Sequence, residues 1–322
     1  MKRLFFCSAV LFVSGMVSGC GGGDSVASTG TPPTVATVPA PTGAVVNATL
    51  DGPLKSETFN ALSTRYTGVS TSSGVQNTVV SGPSTNATVS YDAATNSYHL
   101  SSPGTSASGQ SPDAVIADVV QPDFTEASSS PCTSGTCSAA AISRRGDDGV
   151  RSSGFVYTYV AYGRWFSSAP TGSGTAETMN AAVFGATTPA NAIPTSGTAS
   201  YTLDVNGQEL TGPLGTSGGH NIVPSYSGNG TAAFDFGAGT FSMNGSMNSI
   251  PNYPDSVTFS ASGKLSSGAN GYAGTFSFND AGAFKGSVGG WFFGPQAQEM
   301  GAVFSASASD GRVAVGTIVG HK

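Results

Sequence analysis

From about residue 197 to the end of the chain, apolar and polar side chains alternate with a period of two. Phe234 and Phe236 alternate with Ala233 and Asp235, and Phe241, Met243 and Met247 with Ser242, Asn244 and Ser246. Val257, Phe259, Ala261 and Leu265 are interleaved with Thr258, Ser260, Ser262 and Lys264. Tyr272, Phe276 and Phe278 continue the pattern, as do Phe284, Val288 and Phe292, then Met300, Ala302 and Phe304. This period predicts strands with one buried and one wet face. Eight strands are predicted, starting near 198, 230, 240, 256, 271, 283, 299 and 311. Most gaps between them are short, which predicts sequential antiparallel hairpins. Eight such strands can close into an up-and-down barrel and so remove their exposed edges. Large side chains mixed with Gly on the apolar face suggest a filled interior rather than a ligand cavity.

Residues 45–190 are less regular but still strand-like. Thr88 to Tyr91 and Ser97 to Leu100 read as hairpin arms around Asp92-Ala93-Ala94-Thr95-Asn96. Phe155 to Phe166 is aromatic and β-branched and reads as one long buried strand; 178–187 offers another. The stretch 121–149 between them reads as loop, and its Arg144-Arg145-Gly146-Asp147-Asp148 cluster as a solvated turn. Arg145-Gly146-Asp147 also resembles an integrin-binding tripeptide, a motif of little specificity on its own. The expected fold class is therefore all-β: a C-terminal eight-stranded antiparallel up-and-down barrel (197–322) preceded by a β-rich handle domain (45–190).

Composition narrows the picture. Charged residues make up only 9% of the chain while Gly reaches 45 residues, a mixture that disfavours long helices and suits strands and tight turns. A net charge of −6 carries no basic footprint for nucleic acid and gives only mild electrostatic steering.

The N-terminus reads as a targeting segment. Lys2 and Arg3 precede an apolar run, Leu4 to Val17, too short to span a membrane comfortably. Val17-Ser18-Gly19-Cys20 resembles the bacterial lipobox, with Val17 in place of the preferred Leu. The resemblance implies a lipoprotein signal peptide at 1–19 and acylation (palmitate among the chains) of Cys20; several acyl chains anchor stably where one does not. Gly21, rather than Asp, points to the outer membrane. Residues 20–44 form a Gly/Ser/Thr/Pro tract that reads as a disordered tether. An anchored chain of this kind disfavours a membrane-embedded barrel, which would show apolar side chains outward over strands of roughly nine to eleven residues.

An exported chain meets oxidising conditions, so Cys132 and Cys137, five positions apart across a Ser/Gly loop, read as a loop-closing disulfide. No nearby His or further Cys completes a metal site. The chain has three His, His99, His220 and His321, and no catalytic constellation: there is no nucleophile elbow, zincin motif or P-loop. Enzymatic activity is not expected, nor a metal or a resident cofactor. The longest barrel connection, Gly207 to Gly228, contains His220 and Tyr226. Both residue types ligate haem iron, which makes them weak ligand-binding candidates, with a solvated Gly-rich loop as the plainer account. Tyr157, Tyr159 and Tyr162 suit either handle packing or a partner surface.

The run Gly289-Gly290-Trp291-Phe292-Phe293-Gly294-Pro295-Gln296-Ala297-Gln298-Glu299-Met300-Gly301-Ala302-Val303-Phe304 resembles a late hairpin in the C-terminal barrels of the transferrin-binding protein B family. Gly290, Phe292, Gly294, Pro295, Ala297, Glu299, Gly301 and Phe304 match the motif, and Ala302 replaces a Gly. The stretch Gly230–Met247 and the closing Arg312–Lys322 are similar as well. The resemblance covers about 197–322. It implies a handle-plus-barrel fold on a lipid-anchored, outer-membrane, cell-surface protein of a Gram-negative bacterium. It further implies capture of an iron-bearing cargo (a transferrin-like protein, haemoglobin or haem) and its transfer to a TonB-dependent receptor. A host-factor binder serving immune evasion or adhesion, and a structural envelope lipoprotein, remain alternatives, because fold does not settle ligand. A monomer is expected. For Glu299, one acid among Gly and aromatics, the expectation is that its carboxylate accepts backbone N–H bonds from its own turn and fixes the hairpin register.

Overall fold

A computed structural model describes residues 37–103, 113–117, 126–129, 132–133, 136–147, 152–211, 215–217, 220–222, 225–250, 256–279 and 283–322. The signal segment, Cys20 and most of the tether tract lie outside these residues.

The described residues are all-β apart from one 3-10 turn, Ala190–Ala192. The first strands are β1 (Glu57–Phe59), β2 (Ala61–Thr71), β3 (Gly74–Ser84), β4 (Thr88–Asp92), β5 (Ser97–Ser101) and β6 (Ala114–Ile116). Next come β7 (Glu126–Ser129), β8 (Cys132–Thr133), β9 (Thr136–Ser143), β10 (Arg145–Asp147), β11 (Ser152–Val156), β12 (Val160–Pro170) and β13 (Thr175–Gly185). These thirteen make the handle. Then follow β14 (Thr198–Leu210), β15 (Gly215–Ser217), β16 (His220–Ile222), β17 (Ser225–Asp235), β18 (Thr240–Ile250) and β19 (Ser256–Leu265). The chain closes with β20 (Tyr272–Asn279), β21 (Ala283–Phe293), β22 (Glu299–Ser307) and β23 (Val313–His321).

Strands β14 and β17–β23 form a closed barrel in which every strand pairs antiparallel with its neighbours, and β23 returns to β14. The interior is filled. Phe234 meets Tyr272 and Phe292 with ring centroids 5.0 and 4.9 Å apart, Phe276 stacks on Phe304 at 4.2 Å, and Phe278 on Phe284 at 4.4 Å. Gly290 makes room for one of these rings, since a Cβ there would lie 2.2 Å from the Tyr272 phenol. The outer faces of β17–β20 expose Thr231, Ser242, Asn244, Thr258, Ser260 and Thr275, not the apolar band that a lipid-facing barrel carries.

In the handle, a seven-stranded sheet runs β3-β2-β13-β12-β9-β7, with β8 paired to β9. It is the middle layer of the molecule. One face packs Ala61, Ala182 and Phe184 against Val89, Tyr98 and Leu100 of a four-stranded sheet, β1-β4-β5-β6. The other turns Leu62, Val160 and Val183 onto Trp291, Phe293, Val303 and Val319 of the barrel wall. The second halves of β13 and β21, together with β22 and β23, are therefore buried on both faces, and the runs Ala181–Gly185, Val288–Phe293, Met300–Phe304 and Val313–Gly316 are free of polar side chains for that reason.

Several expectations change. Phe155–Phe166 is two strands, β11 and β12, broken at Tyr157–Tyr159. The expected loop at 121–149 contains β7 to β10. Arg144 is no solvated turn residue: it is 2% exposed, its Nη1 donates to the Tyr157 carbonyl at 2.9 Å, and its Nη2 lies 3.5 Å from Asp51. The ordered body also begins inside the expected tether. Val38 is buried, and the Trp291 indole N–H donates to the Pro39 carbonyl at 2.9 Å.

One buried charge lacks compensation. Glu177 on β13 shares the barrel-facing side with Met179 and Val183; it is 0% exposed and neither carboxylate oxygen has a hydrogen-bond partner. Burial raises its pKa from 4.5 to about 7. Between pH 4.5 and 7 the folded chain holds a proton that the unfolded chain has released, so this residue's contribution to stability is full below 4.5 and is lost as pH rises through 7. The loss amounts to about 3 kcal/mol. Glu177→Gln should therefore match the parent at pH 4 and exceed it progressively towards pH 8, as read by melting temperature across that range; a gap independent of pH would refute the assignment.

Candidate functional site

The β21–β22 hairpin is the joint between handle and barrel, and its residues divide by side. Phe292 and Phe304 point into the barrel core, while Trp291, Phe293 and Val303 face the handle. Gly294 turns the chain at φ 82°, a left-handed conformation that glycine adopts without steric cost. Pro295 is exposed. Ala297 also has a positive φ, 53°, and is fully buried in the mouth of the barrel, where its carbonyl accepts the Tyr201 hydroxyl at 2.7 Å. Gly301 lies under the handle: a Cβ would sit 3.0 Å from Val160 and 3.2 Å from Val183.

Glu299 is 4% exposed. Its carboxylate does accept backbone N–H bonds, but from the handle rather than from its own turn. Oε1 takes the amide of Thr158 at 2.8 Å; Oε2 takes those of Tyr159 and Val160 at 2.8 and 2.9 Å. These amides belong to the last two residues of the gap between β11 and β12 and to Val160, which opens β12. Burial raises the Glu299 pKa above its ordinary 4.5, opposed by the three amides and by His321.

Further bonds cross the same joint. The Tyr157 hydroxyl donates to Asp204 at 2.6 Å, and burial beside that carboxylate pushes the phenol pKa up. The Gly294 amide donates to the Ala186 carbonyl at 2.8 Å, and the Thr188 hydroxyl to the Gly294 carbonyl at 2.6 Å. Asn270 is 1% exposed; it donates to the Thr188 and Phe292 carbonyls and accepts the Phe292 amide, each at 2.8 Å. Tyr157 is thus a joint residue. Tyr162 donates to the Arg145 carbonyl at 2.9 Å, and Tyr159 packs half-buried against the joint's apolar core.

The ligand candidates are placed differently. Strand β14 runs to Leu210 and β17 starts at Ser225, so the long connection is 211–224, shorter than the Gly207–Gly228 expected, and it carries the β15–β16 hairpin. His220 opens β16, opposite Ser217; its side chain lies outside the described residues. Tyr226 is not on the loop. It sits in β17, 2% exposed, with its ring against Phe278 at 5.2 Å inside the barrel and its hydroxyl donating to Glu209. Arg312 completes this plug, 3.0 Å from Glu209, 2.8 Å from Asp310 and over the Phe284 ring. Cys132 and Cys137 face each other as partners of β8 and β9. His99 is exposed beside Ser97, and His321 stacks on Phe155 at 3.6 Å. No group of three or more metal-ligating acids, His or Cys occurs among the described residues.

One barrel end therefore carries the connections 211–224, 251–255, 280–282 and 308–312, while the other carries tight turns at 236–239 and 294–298 together with the C-terminus.

The fold is thus a handle joined across a packed interface to a filled eight-stranded barrel. Residues 193–320 match the family described as C-lobe and N-lobe β barrels of Tf-binding protein B, a match that takes in the barrel and leaves the handle outside it. Among solved structures it is similar to a transferrin-binding protein B variant from Haemophilus parasuis Hp5, at 16% identity and TM-score 0.35 over 75% of this chain and 54% of that one. It is also similar to the isotype 1 protein from serogroup B Neisseria meningitidis, at 13% identity and TM-score 0.37 over 74% and 59%. A third is a surface lipoprotein, at 15% identity and TM-score 0.40 over 81% and 98%. The chain spans about half the length of the Haemophilus parasuis protein. No curated protein sequence matches it.

If the Glu299 carboxylate locks the joint, Glu299→Ala leaves three amides without their acceptor and costs about 3 kcal/mol. Glu299→Gln should cost less, because the amide oxygen can keep the N–H groups of Tyr159 and Val160 while the NH2 opposes only that of Thr158. Calorimetric unfolding measures both, and an unchanged melting temperature combined with lost partner binding would assign Glu299 to a ligand instead.

Proposed function

We propose that this chain is a lipoprotein, acylated at Cys20 and tethered to the outer-membrane surface of a Gram-negative bacterium. It binds an iron-bearing cargo (a transferrin-like protein, haemoglobin or haem) and passes it to a TonB-dependent receptor. The observation that carries this reading is the pairing of the family match over 193–320 with a barrel whose lumen is filled by aromatic rings. A filled barrel holds no small ligand inside, so it serves as a rigid platform, and loops on rigid scaffolds are where recognition concentrates. The protein acts by binding rather than by catalysis.

The cargo-facing surface is the rim bearing 211–224, with the handle beside it. Tyr226 has its hydroxyl committed to Glu209 inside the barrel, which leaves His220 as the haem-ligand candidate and favours a protein cargo over haem alone. A Cys132–Cys137 bridge belongs to the same proposal: Cys137 is disulfide-bonded and its position on β9 pairs with Cys132 of β8, which suits an exported chain. The charge of −6 gives an encounter little steering, so complex formation should depend only weakly on salt.

The full chain, purified in detergent and immobilised, should retain iron-loaded transferrin or haemoglobin from solution, and His220→Ala should abolish any Soret shift seen with haem. Retention of neither protein, with no Soret change, would refute iron-cargo capture. Retention of a serum regulator in their place would establish the host-factor alternative.

A further inference from the structure

Along β14 the handle and the barrel meet a second time, away from Glu299. The side chains that β14 turns to the handle include Asp204, Asn206, Gln208 and Leu210. Asn206 stands beside Thr317 and Gln208 beside Val315 in the pairing with β23. Facing them, the handle places Tyr162 and Arg164 of β12 and Met179 and Ala181 of β13, with Arg164 opposite Ala181 in register. Ala181 is small where its neighbours on the same face, Met179 and Val183, are large. A crevice of about 20 Å³ lies against it, walled by both units. A space of that size admits one water or the tip of one functional group.

The crevice is polar, where an apolar seam would adhere better. Asn206 is 8% exposed, and its Nδ2 donates to nothing; one step further along the strand face, the buried Gln208 Oε1 accepts nothing. Buried polar atoms are nearly always paired, and each exception calls for a physical account. Arg164 is exposed and forms no ion pair among the described residues. Its partner on β9, Ala141, is only half-buried, so this flank is reached from solvent. Asp204 accepts the Tyr157 hydroxyl at 2.6 Å, and Tyr162 donates to the Arg145 carbonyl at 2.9 Å. What the crevice offers a ligand is therefore one donor, one acceptor and one cation.

A primary carboxamide matches all three. Its oxygen has two lone pairs, for Asn206 and Arg164, and its NH2 donates to Gln208. A carboxylate serves the first two but sets an acceptor against the Gln208 oxygen, leaving that oxygen unsatisfied. An ammonium offers Asn206 no acceptor and is repelled by Arg164. A single water serves Asn206 and Gln208 and gives Arg164 no role.

We infer that this crevice receives the side-chain carboxamide of an Asn or Gln presented by a partner protein. A group this small binds weakly alone, so it acts as one register point within a larger interface. Because both units wall the crevice, a residue seated there is read by handle and barrel together. The inference rests on the proposal that the chain binds a protein, and not on that protein carrying iron.

The test is an NMR titration of the isotope-labelled full chain in detergent. The probes are N-acetyl-glutamine methylamide, acetamide, acetate and N-acetyl-alanine methylamide. The signals followed are the side-chain NH2 groups of Asn206 and Gln208 and the Nε–H of Arg164. The glutamine probe and acetamide should shift all three saturably, acetate should bind about fivefold more weakly, and the alanine probe should shift none. Arg164→Met, at an exposed position, should weaken the glutamine probe about fivefold with melting unchanged. Ala181→Leu should fill the crevice and abolish the response, and Arg164→Met decides the matter if that variant fails to fold. No saturable shift with the glutamine probe, an equal response to acetate, or a response that survives Arg164→Met would overturn the inference. The titration uses no cargo, so its failure would leave cargo capture standing.

Discussion

The carboxylate of Glu299, closed on three consecutive handle amides, is the contact on which the rest of the architecture depends. Val160 opens β12, and its amide and those of the two residues before it are bonded by Glu299 rather than by a neighbouring strand. An unpaired buried N–H costs about 1–3 kcal/mol, and three in a row would favour fraying of that end of the sheet. A single side chain from the barrel satisfies all three, and it stands where β22 begins. Handle and barrel are thereby registered against one another at one point, with Tyr157–Asp204, Asn270 and the Gly294–Ala186 bond fixing the orientation around it. The apolar contact of Trp291, Phe293, Val303 and Val319 with the handle supplies adhesion without direction; the polar contacts supply direction.

This division explains which features could be read from the residues in order. The eight barrel strands follow from period-two alternation, because most barrel strands have one packed and one wet face. Strands β21–β23 depart from that rule. Their outer face lies under the handle, and the signal is present in the unbroken runs Gly289–Phe293 and Val313–Gly316, which mark burial on both sides. The gap between β11 and β12 left no local trace. Phe155 to Phe166 has the composition of one strand, and the break arises from an acid some 140 residues away. Arg144 misleads in the same way: its neighbours are charged and Gly-rich, yet its guanidinium is enclosed by Tyr157 and Asp51, which are remote in sequence. Tyr226 looked like a loop residue because the Gly-rich stretch around it hides the start of β17.

The hairpin Gly289–Phe304 changes meaning under this geometry. Its aromatics split between two cores, its glycines permit a turn and two close approaches, and its acid spans the joint. Among the matched positions, Phe292 and Phe304 fill the barrel while Glu299 and Gly301 meet the handle. A motif of that kind describes a scaffold and says nothing of cargo, which is why the barrel is legible here and the ligand is not.

Filling the barrel has a further consequence. Aromatic packing gives the lumen to stability, and burial of β21–β23 gives a sector of the outer wall to the joint. Under the function proposed above, the parts of the body committed to neither core nor joint are the barrel end at which β14, β18, β20 and β22 finish and the handle face turned away from the barrel. A rigid joint keeps these two surfaces at a constant separation, so a partner that engaged both would gain the effective concentration of a linked pair, an advantage that a hinged handle would lose.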